Sequence, residues 1–295
     1  MQPPDTFTIP DHLRPYVREV MAGGIRLHCY DAGSGDVTPI ILLHGLGDEA
    51  DTWRHVFLPL ARHRRVIALD LPGFGRSDHP NVAYTLAFFA RTVAQLLETL
   101  DIRRAIVMGS SMGAATAQRL ALARPDLVEQ LVLVGGCVPA SFGIPVGPMW
   151  LFLTPGLGEL IYTNIRRQAD SGYATLRPYY RDLDGLDVAD RDFLAERVRA
   201  RVWSDGQRRA FLSALRWLAI ERAFRANTLR EQVIRQTTPT LLIWGDSDAI
   251  VPPAVAHGMA ALLPDAQVLL IAECGHLPQQ ERPDELIRLL NGALA

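Results

Sequence analysis

The chain has 295 residues, 48% of them hydrophobic and 21% charged, a balance that excludes disorder as the main state and is enough to build one large core. Its formal net charge of -2 gives no overall attraction to a nucleic-acid backbone or an anionic membrane, so neither is expected as a partner. All 30 of its Lys+Arg residues are arginine; this excludes lysine Schiff bases, lysine-bearing phosphate loops and Ser-Lys dyads, and leaves histidine as the base for any Ser or Cys nucleophile.

Residues 1–14 have neither a basic n-region nor an apolar h-region, so no standard secretion signal is expected and the predicted location is cytoplasmic. Residues 17–20 and 25–30 flank Gly23-Gly24 and predict an antiparallel hairpin at a sheet edge. Short apolar or β-branched runs at 39–43, 65–70, 105–109, 131–134, 240–244 and 268–271 follow as strands. Amphipathic stretches at 85–100, 112–123, 253–263 and 283–290 read as helices between and after them. This alternation predicts an α/β fold, a mostly parallel central sheet with helices on both faces.

The uncharged stretch 130–158 is long enough to span a bilayer, but Pro139, Pro145, Pro148 and Pro155 interrupt it. It reads as a buried strand, an apolar loop and a short helix, with no stable membrane insertion. Strand signals cease after Val134 and return only at Pro239. Residues 137–235 are therefore expected to form a helical cap inserted after the sixth strand, over a core made of 1–136 and 236–295. Within the cap, 181–201 is dense in charges of both signs and reads as a solvated helical face. The three cysteines, Cys29, Cys137 and Cys274, are an odd count without paired spacing, which predicts neither a disulfide framework nor a four-ligand zinc site. A monomer or homodimer is expected.

The sequence concentrates its chemistry at three strand ends. Gly109-Ser110-Ser111-Met112-Gly113 joins a strand to a helix, so Ser111 sits on a turn so tight that side chains two residues before and after would collide with neighbouring backbone. The helix N-terminus there favours developing negative charge. Cys274-Gly275-His276-Leu277 follows the last strand and places His276 at the same sheet end. Trp244-Gly245-Asp246-Ser247-Asp248 lies beyond the strand between them and offers two carboxylates. The order Ser, Asp, His matches one hydrolase architecture and neither of the two familiar protease orders.

These motifs resemble those of the α/β-hydrolase superfamily over nearly the whole chain outside the helical insertion. The resemblance implies the acid three residues after the glycine of a G-x-x-D-x-x-x-P segment, which selects Asp248, so the implied triad is Ser111, Asp248 and His276. It also implies that His44-Gly45-Leu46-Gly47 is an oxyanion loop, with the backbone N–H groups of Leu46 and Met112 as donors. His44 itself is then structural, as is the turn 71–78. No metal or organic cofactor is required. A serine at the elbow sets aside the haloalkane dehalogenase and epoxide hydrolase relatives, which carry aspartate there.

Within the serine branch the chain is similar to capped esterases, lactonases and hydrolases of dienoic ring-fission products. Trp53 fits a pattern of the last group. The chain departs from that group at Leu277, where tryptophan is usual after the histidine, and at Ala114, where a glycine is usual. The group's carboxylate-binding cap arginine has several candidates, Arg166, Arg167 and Arg177 among them. Carboxylic ester hydrolysis of small to medium, mainly apolar substrates therefore ranks first, with the pocket assigned to Trp53, Trp150 and Leu277. The alternatives are carbon-carbon bond hydrolysis or lactone hydrolysis, and, further off, a ligand receptor with slow residual turnover.

Overall fold

The computed structural model describes residues 8–138, 151–166, 169–263 and 265–294. The expected hairpin comes first. β1 (Val17–Ala22) and β2 (Ile25–Ala32) pair antiparallel across Gly23 and Gly24, both at positive φ as a two-residue hairpin turn requires. The chain then lays down β3 (Ile40–Leu43), α1 (Phe57–Ala61), β4 (Val66–Leu69), α2 (Leu86–Thr99), β5 (Ala105–Ser110), α3 (Met112–Ala123) and β6 (Val128–Val134). Among the described residues the sheet has eight strands in the order β1-β2-β4-β3-β5-β6-β7-β8, with β7 (Thr240–Gly245) and β8 (Gln267–Ile271) completing it. Every pairing from β4 to β8 is parallel, and β2 runs antiparallel to both of its neighbours.

The central strands are apolar on both faces because both faces are covered. Ile41, Leu43, Val107, Leu131 and Leu133 point into one core cluster with α2 and α3. Their neighbours Ile40, Leu42, Ile106, Met108 and Val132 point into the other, with Phe57 and the C-terminal Leu286 and Leu290. Thr85 caps α2, its side chain accepting from the Phe88 N–H at 3.0 Å.

Between β6 and β7 the described residues form helices and loops only: α4 (Leu157–Ile165), α5 (Ala169–Ala174), a 3-10 turn at Arg177–Tyr179, α6 (Val188–Trp203) and α7 (Asp205–Ile234). The long α7 returns the chain to the sheet, and its Ala210, Ala214 and Val233 join the core cluster that holds α2 and α3. After β7 come α8 (Ala254–Ala260), β8, the short α9 (Pro278–Glu281) and α10 (Pro283–Ala293). The helix expected at 253–263 is thus shorter at both ends. No helix of the described residues is long and apolar enough to cross a membrane.

The reading of 181–201 as a solvated face needs correction. Arg197 is 1% exposed and lies 3.4 Å from Asp51, while Arg201 bonds Asp48 and Glu49 of the loop after β3. Two of the arginines on α6 face inward because acids on the core lie beneath them.

Candidate active site

β5 runs straight into α3 through Ser111, whose backbone has φ 54° and ψ -115°, a left-handed conformation that a non-glycine residue holds only under constraint. The constraint is backbone packing. A Cβ on Gly109 would come within 2.2 Å of the Gly113 carbonyl, and one on Gly113 within 2.2 Å of Leu43 O on β3. Gly136, just past β6, is equally committed: its Cβ would meet Ser111 O at 2.4 Å. The Ser111 N–H donates to Val134 O at 2.8 Å, so two strand ends fix the turn.

His276 lies in the loop between β8 and α9. Its Nδ1 is 2.8 Å from Asp248 Oδ2, and both side chains are buried. Asp248 is aimed by the chain after β7, where its Oδ1 accepts from the N–H groups of Ile250 and Val251, each at 2.8 Å. Asp246 is exposed and accepts instead from Ser247 Oγ and the Cys274 N–H. Of the two carboxylates left open by the residues alone, the one on the histidine is Asp248. A carboxylate on Nδ1 leaves Nε2 to accept a proton, and His276 Nε2 is buried with no hydrogen-bond partner among the described residues. Gly135, at positive φ, gives the ring its room: a Cβ there would stand 3.3 Å from Nδ1.

Ser111 and His276 line one cavity of roughly 420 Å3, walled on the core side by Gly45, Leu46 and Leu277 and on the helical side by Phe152, Tyr162, Val198 and Phe211. Neither the Leu46 nor the Met112 N–H is bonded to an acceptor among the described residues. Gly45 backs Ser111, since a Cβ there would lie 3.9 Å from Ser111 Oγ. His44 holds this loop from below: its Nδ1 meets Gly45 O at 2.8 Å, and its Nε2 accepts the Leu71 N–H at 2.8 Å. Burial lowers its pKa, so it stays neutral with both ring nitrogens committed to backbone. The turn 71–78 is held by Asp70, which accepts from the backbone of Ala50 and Arg76.

The pocket residues expected from sequence divide three ways. Leu277 lines the cavity. Trp53 does not: it is fully buried among Tyr30, Leu42, Val56 and Phe57 in the core on the opposite face of the sheet, so the pocket assignment is corrected. Its apolar bulk is used for packing beneath the 3-10 turn Ala50–Trp53. Trp150 lies outside the described residues. Among the cap arginines, Arg166 is bonded to Val202 O and Asp205, Arg177 pairs with Asp184 at the surface, and Arg167 is outside the described residues.

Among the described residues the arginine in the cavity wall is Arg201, which sequence reading missed. Its Nε and Nη2 make a two-point contact with Glu49, 2.8 and 2.7 Å, and Nη2 also bonds Asp48, while Nη1 has no partner among the described residues. Burial pushes the Glu49 carboxyl up to about 7 against the pull of Arg201. The available signal was Asp48-Glu49 directly after H-G-L-G, two acids in a loop that has to pass beneath the helical segment. Elsewhere, burial raises the thiols of Cys29 and Cys274, the former to about 12, which makes them poor nucleophiles. No cluster of three or more His, Cys, Asp or Glu with metal-holding geometry occurs among the described residues.

A family model described as the alpha/beta hydrolase fold matches residues 38–283. The chain belongs to the α/β-hydrolase family. It is 30% identical over 286 residues to a 2-hydroxy-6-oxo-2,4-heptadienoate hydrolase of Pseudomonas putida, covering 94% of this chain and 96% of that one. It is 32% identical over 287 residues to a 2-hydroxy-6-oxononadienedioate/2-hydroxy-6-oxononatrienedioate hydrolase of Paraburkholderia xenovorans, covering 92% of each. Among solved structures it superposes on a meta-cleavage product hydrolase from Pseudomonas fluorescens with a TM-score of 0.75 at 25% identity, covering 94% and 98% of the two chains. These α/β-hydrolase relatives favour the carbon-carbon alternative over the ester reading that sequence analysis placed first.

Proposed function

We propose that this α/β-hydrolase is a serine hydrolase that cleaves the carbon-carbon bond beside the keto group of a 2-hydroxy-6-oxo-dienoate. What carries the substrate class is the recurrence of that activity in relatives aligned over nine-tenths of the chain. What supports the chemistry is Ser111 and His276 in one cavity, with Asp248 on the far ring nitrogen. His276 Nε2 takes the Ser111 proton as Oγ attacks the keto carbon, and Asp248 steadies the resulting cation. The Leu46 and Met112 N–H groups receive the oxyanion. Before the attack the 2-hydroxyl proton is transferred to the carbon beside the keto group, giving a 2-oxo-3-ene; collapse then expels that carbon as a carbanion conjugated to the 2-oxo group, which is protonated, and water frees the acyl group from Ser111. The helices of 137–235 serve as a lid that excludes bulk water, and Arg201 Nη1 is the donor edge open to a substrate carboxylate.

A second reading, hydrolysis of an uncharged apolar ester, is favoured by one specific observation: Asp48 and Glu49 already offset the charge of Arg201, in a cavity whose wall includes Leu46, Phe152, Val198 and Leu277. The same nucleophile serves both. The test is to incubate the protein in parallel with a 2-hydroxy-6-oxo-dienoate, following loss of its conjugated chromophore, and with p-nitrophenyl esters of increasing chain length. Ser111-dependent turnover faster on the dienoate supports the first reading. Turnover on esters alone replaces it with the second, and a single stoichiometric acylation without turnover sinks both in favour of a receptor.

A further inference from the structure

The loop that presents the Leu46 N–H is gripped from two sides. From the core, His44 bonds the loop carbonyl of Gly45. From the helical segment, Phe211 of α7 packs so close to Gly47 that a Cβ there would come within 3.0 Å of its ring, and Arg201 of α6 reaches Asp48 and Glu49 next along the chain. Glu49 is fully buried, and its carboxylate meets the guanidinium at two points, the geometry that fixes orientation as well as distance. The loop also folds on itself: the Asp48 N–H donates to Gly45 O at 3.3 Å and the Glu49 N–H to Asp48 Oδ1 at 3.0 Å. A displacement of Glu49 is therefore carried back through Asp48 to Gly45 and Leu46, against the nucleophile.

We propose that Glu49, clamped by Arg201, is a positioning residue that aims the Leu46 N–H at the oxyanion, so that the seating of α6 on the core completes the oxyanion hole. This rests on the reading of Ser111 as nucleophile and holds for either substrate class. Glu49 never touches substrate; it acts through the loop. The alternative is that the pair is only a strut, and the two differ in what they do to the chemical step. Loss of a strut lowers stability and leaves the intrinsic rate of Ser111 intact once the protein is folded. A loop that drifts by a fraction of an ångström weakens a hydrogen bond made fully only in the transition state, which lowers the rate without weakening ground-state binding.

The experiment uses a small uncharged alkyl fluorophosphonate, which needs no knowledge of the natural substrate. Ser111 Oγ bonds phosphorus, the phosphorus-fluorine bond breaks, fluoride leaves and the serine proton passes to His276. Labelling of the full chain is followed by intact mass at several reagent concentrations, separating kinact from KI, for the wild type and Glu49→Gln. The expected result is kinact down by about 10- to 100-fold with KI unchanged. Since Glu49→Gln leaves Arg201 paired with Asp48 alone, Glu49→Gln/Arg201→Met, which removes the charges of the clamp itself, is measured beside it and is expected to be folded and still slow in kinact. A kinact within about twofold of wild type in either folded variant overturns the positioning role and leaves the nucleophile reading standing. Failure of the wild type to label at Ser111 overturns the nucleophile reading itself, and this one with it.

Discussion

Ser111 holds its strained backbone because its neighbours leave no alternative, and that has a direct consequence for mutants. The strain comes from Gly109, Gly113 and Gly136 packing, not from the serine side chain, so Ser111→Ala is expected to fold like the wild type, by circular dichroism and melting, while losing about 10^3-fold or more in kcat on whichever substrate is turned over. Asp248→Asn is expected to cost about 10^4-fold, because the amide keeps the shape but no longer holds the Nδ1–H tautomer. Asp246→Asn, at an exposed carboxylate that does not reach His276, is the control and should change kcat by less than about twofold. That Ser111, Asp248 and His276 would come together was legible in the sequence because each is tied to a strand end by a short local motif. Trp53 and Arg201 were not: a tryptophan reads the same whether it points into a core or a cavity, and Arg201 is defined by Glu49, 152 residues away in the chain.

At the scale of elements, the strands and the helices packed on them could be read because a parallel sheet covered on both faces writes itself as continuous apolar runs, and β3 and β5 are buried throughout. Helix α6 could not, because its charges alternate in a way that fits solvent as well as it fits a bed of buried acids. Glycines separate two kinds of helix position. Gly113 opens α3 against the Leu43 carbonyl, whereas Gly258 lies inside α8, where a Cβ would meet nothing within 4 Å. Gly258→Ala is therefore expected to stabilise by about 0.5–1 kcal/mol through helix propensity. Gly113→Ala is expected to destabilise by about 1–3 kcal/mol or more, since backbone has to move. Urea denaturation of both variants checks the pair, and equal effects would contradict the packing described at the elbow. Between α4 and α7, Arg216 holds the Glu159 carboxyl down to about 2, with backbone bonds from Glu159 and Gly156 helping. A lowered carboxyl pKa contributes stability present above the unfolded value and lost as pH falls toward 2. Glu159→Gln should therefore melt lower than wild type at pH 7 and converge with it as the pH is lowered. The gap is below about 1 kcal/mol because the pair is partly exposed.

For the molecule as a whole, the question is whether the helical segment between β6 and β7 is a separable lid or part of the fold. Its connectivity is that of an insertion, since the strands on either side are neighbours: β6 and β7 pair directly from Leu131↔Thr240 to Val134↔Ile243. Its energetics argue otherwise. Ala210, Ala214 and Val233 of α7 complete the core cluster behind α2 and α3, so removing the segment bares apolar surface there. The electrostatic loss adds to this. Glu49 is a fully buried core acid whose partner Arg201 comes from α6; its carboxyl, already raised to about 7 beside that arginine, takes up a proton once Arg201 is gone, so the ion pair is lost. Asp51, equally buried, keeps Arg76 of the core but loses Arg197 of α6. Together with the bared apolar surface, these losses are set against a whole-domain stability of only about 5–15 kcal/mol. Replacing 139–234 by a short flexible linker between β6 and β7 is therefore expected to give a chain that keeps far-UV circular dichroism, binds ANS and lacks a cooperative urea transition. Adding Glu49→Leu to the same deletion removes the unpaired carboxyl and should restore part of the cooperativity. A cooperative transition in the simple deletion would show instead that the core stands alone and that the arginines of α6 are dispensable to it.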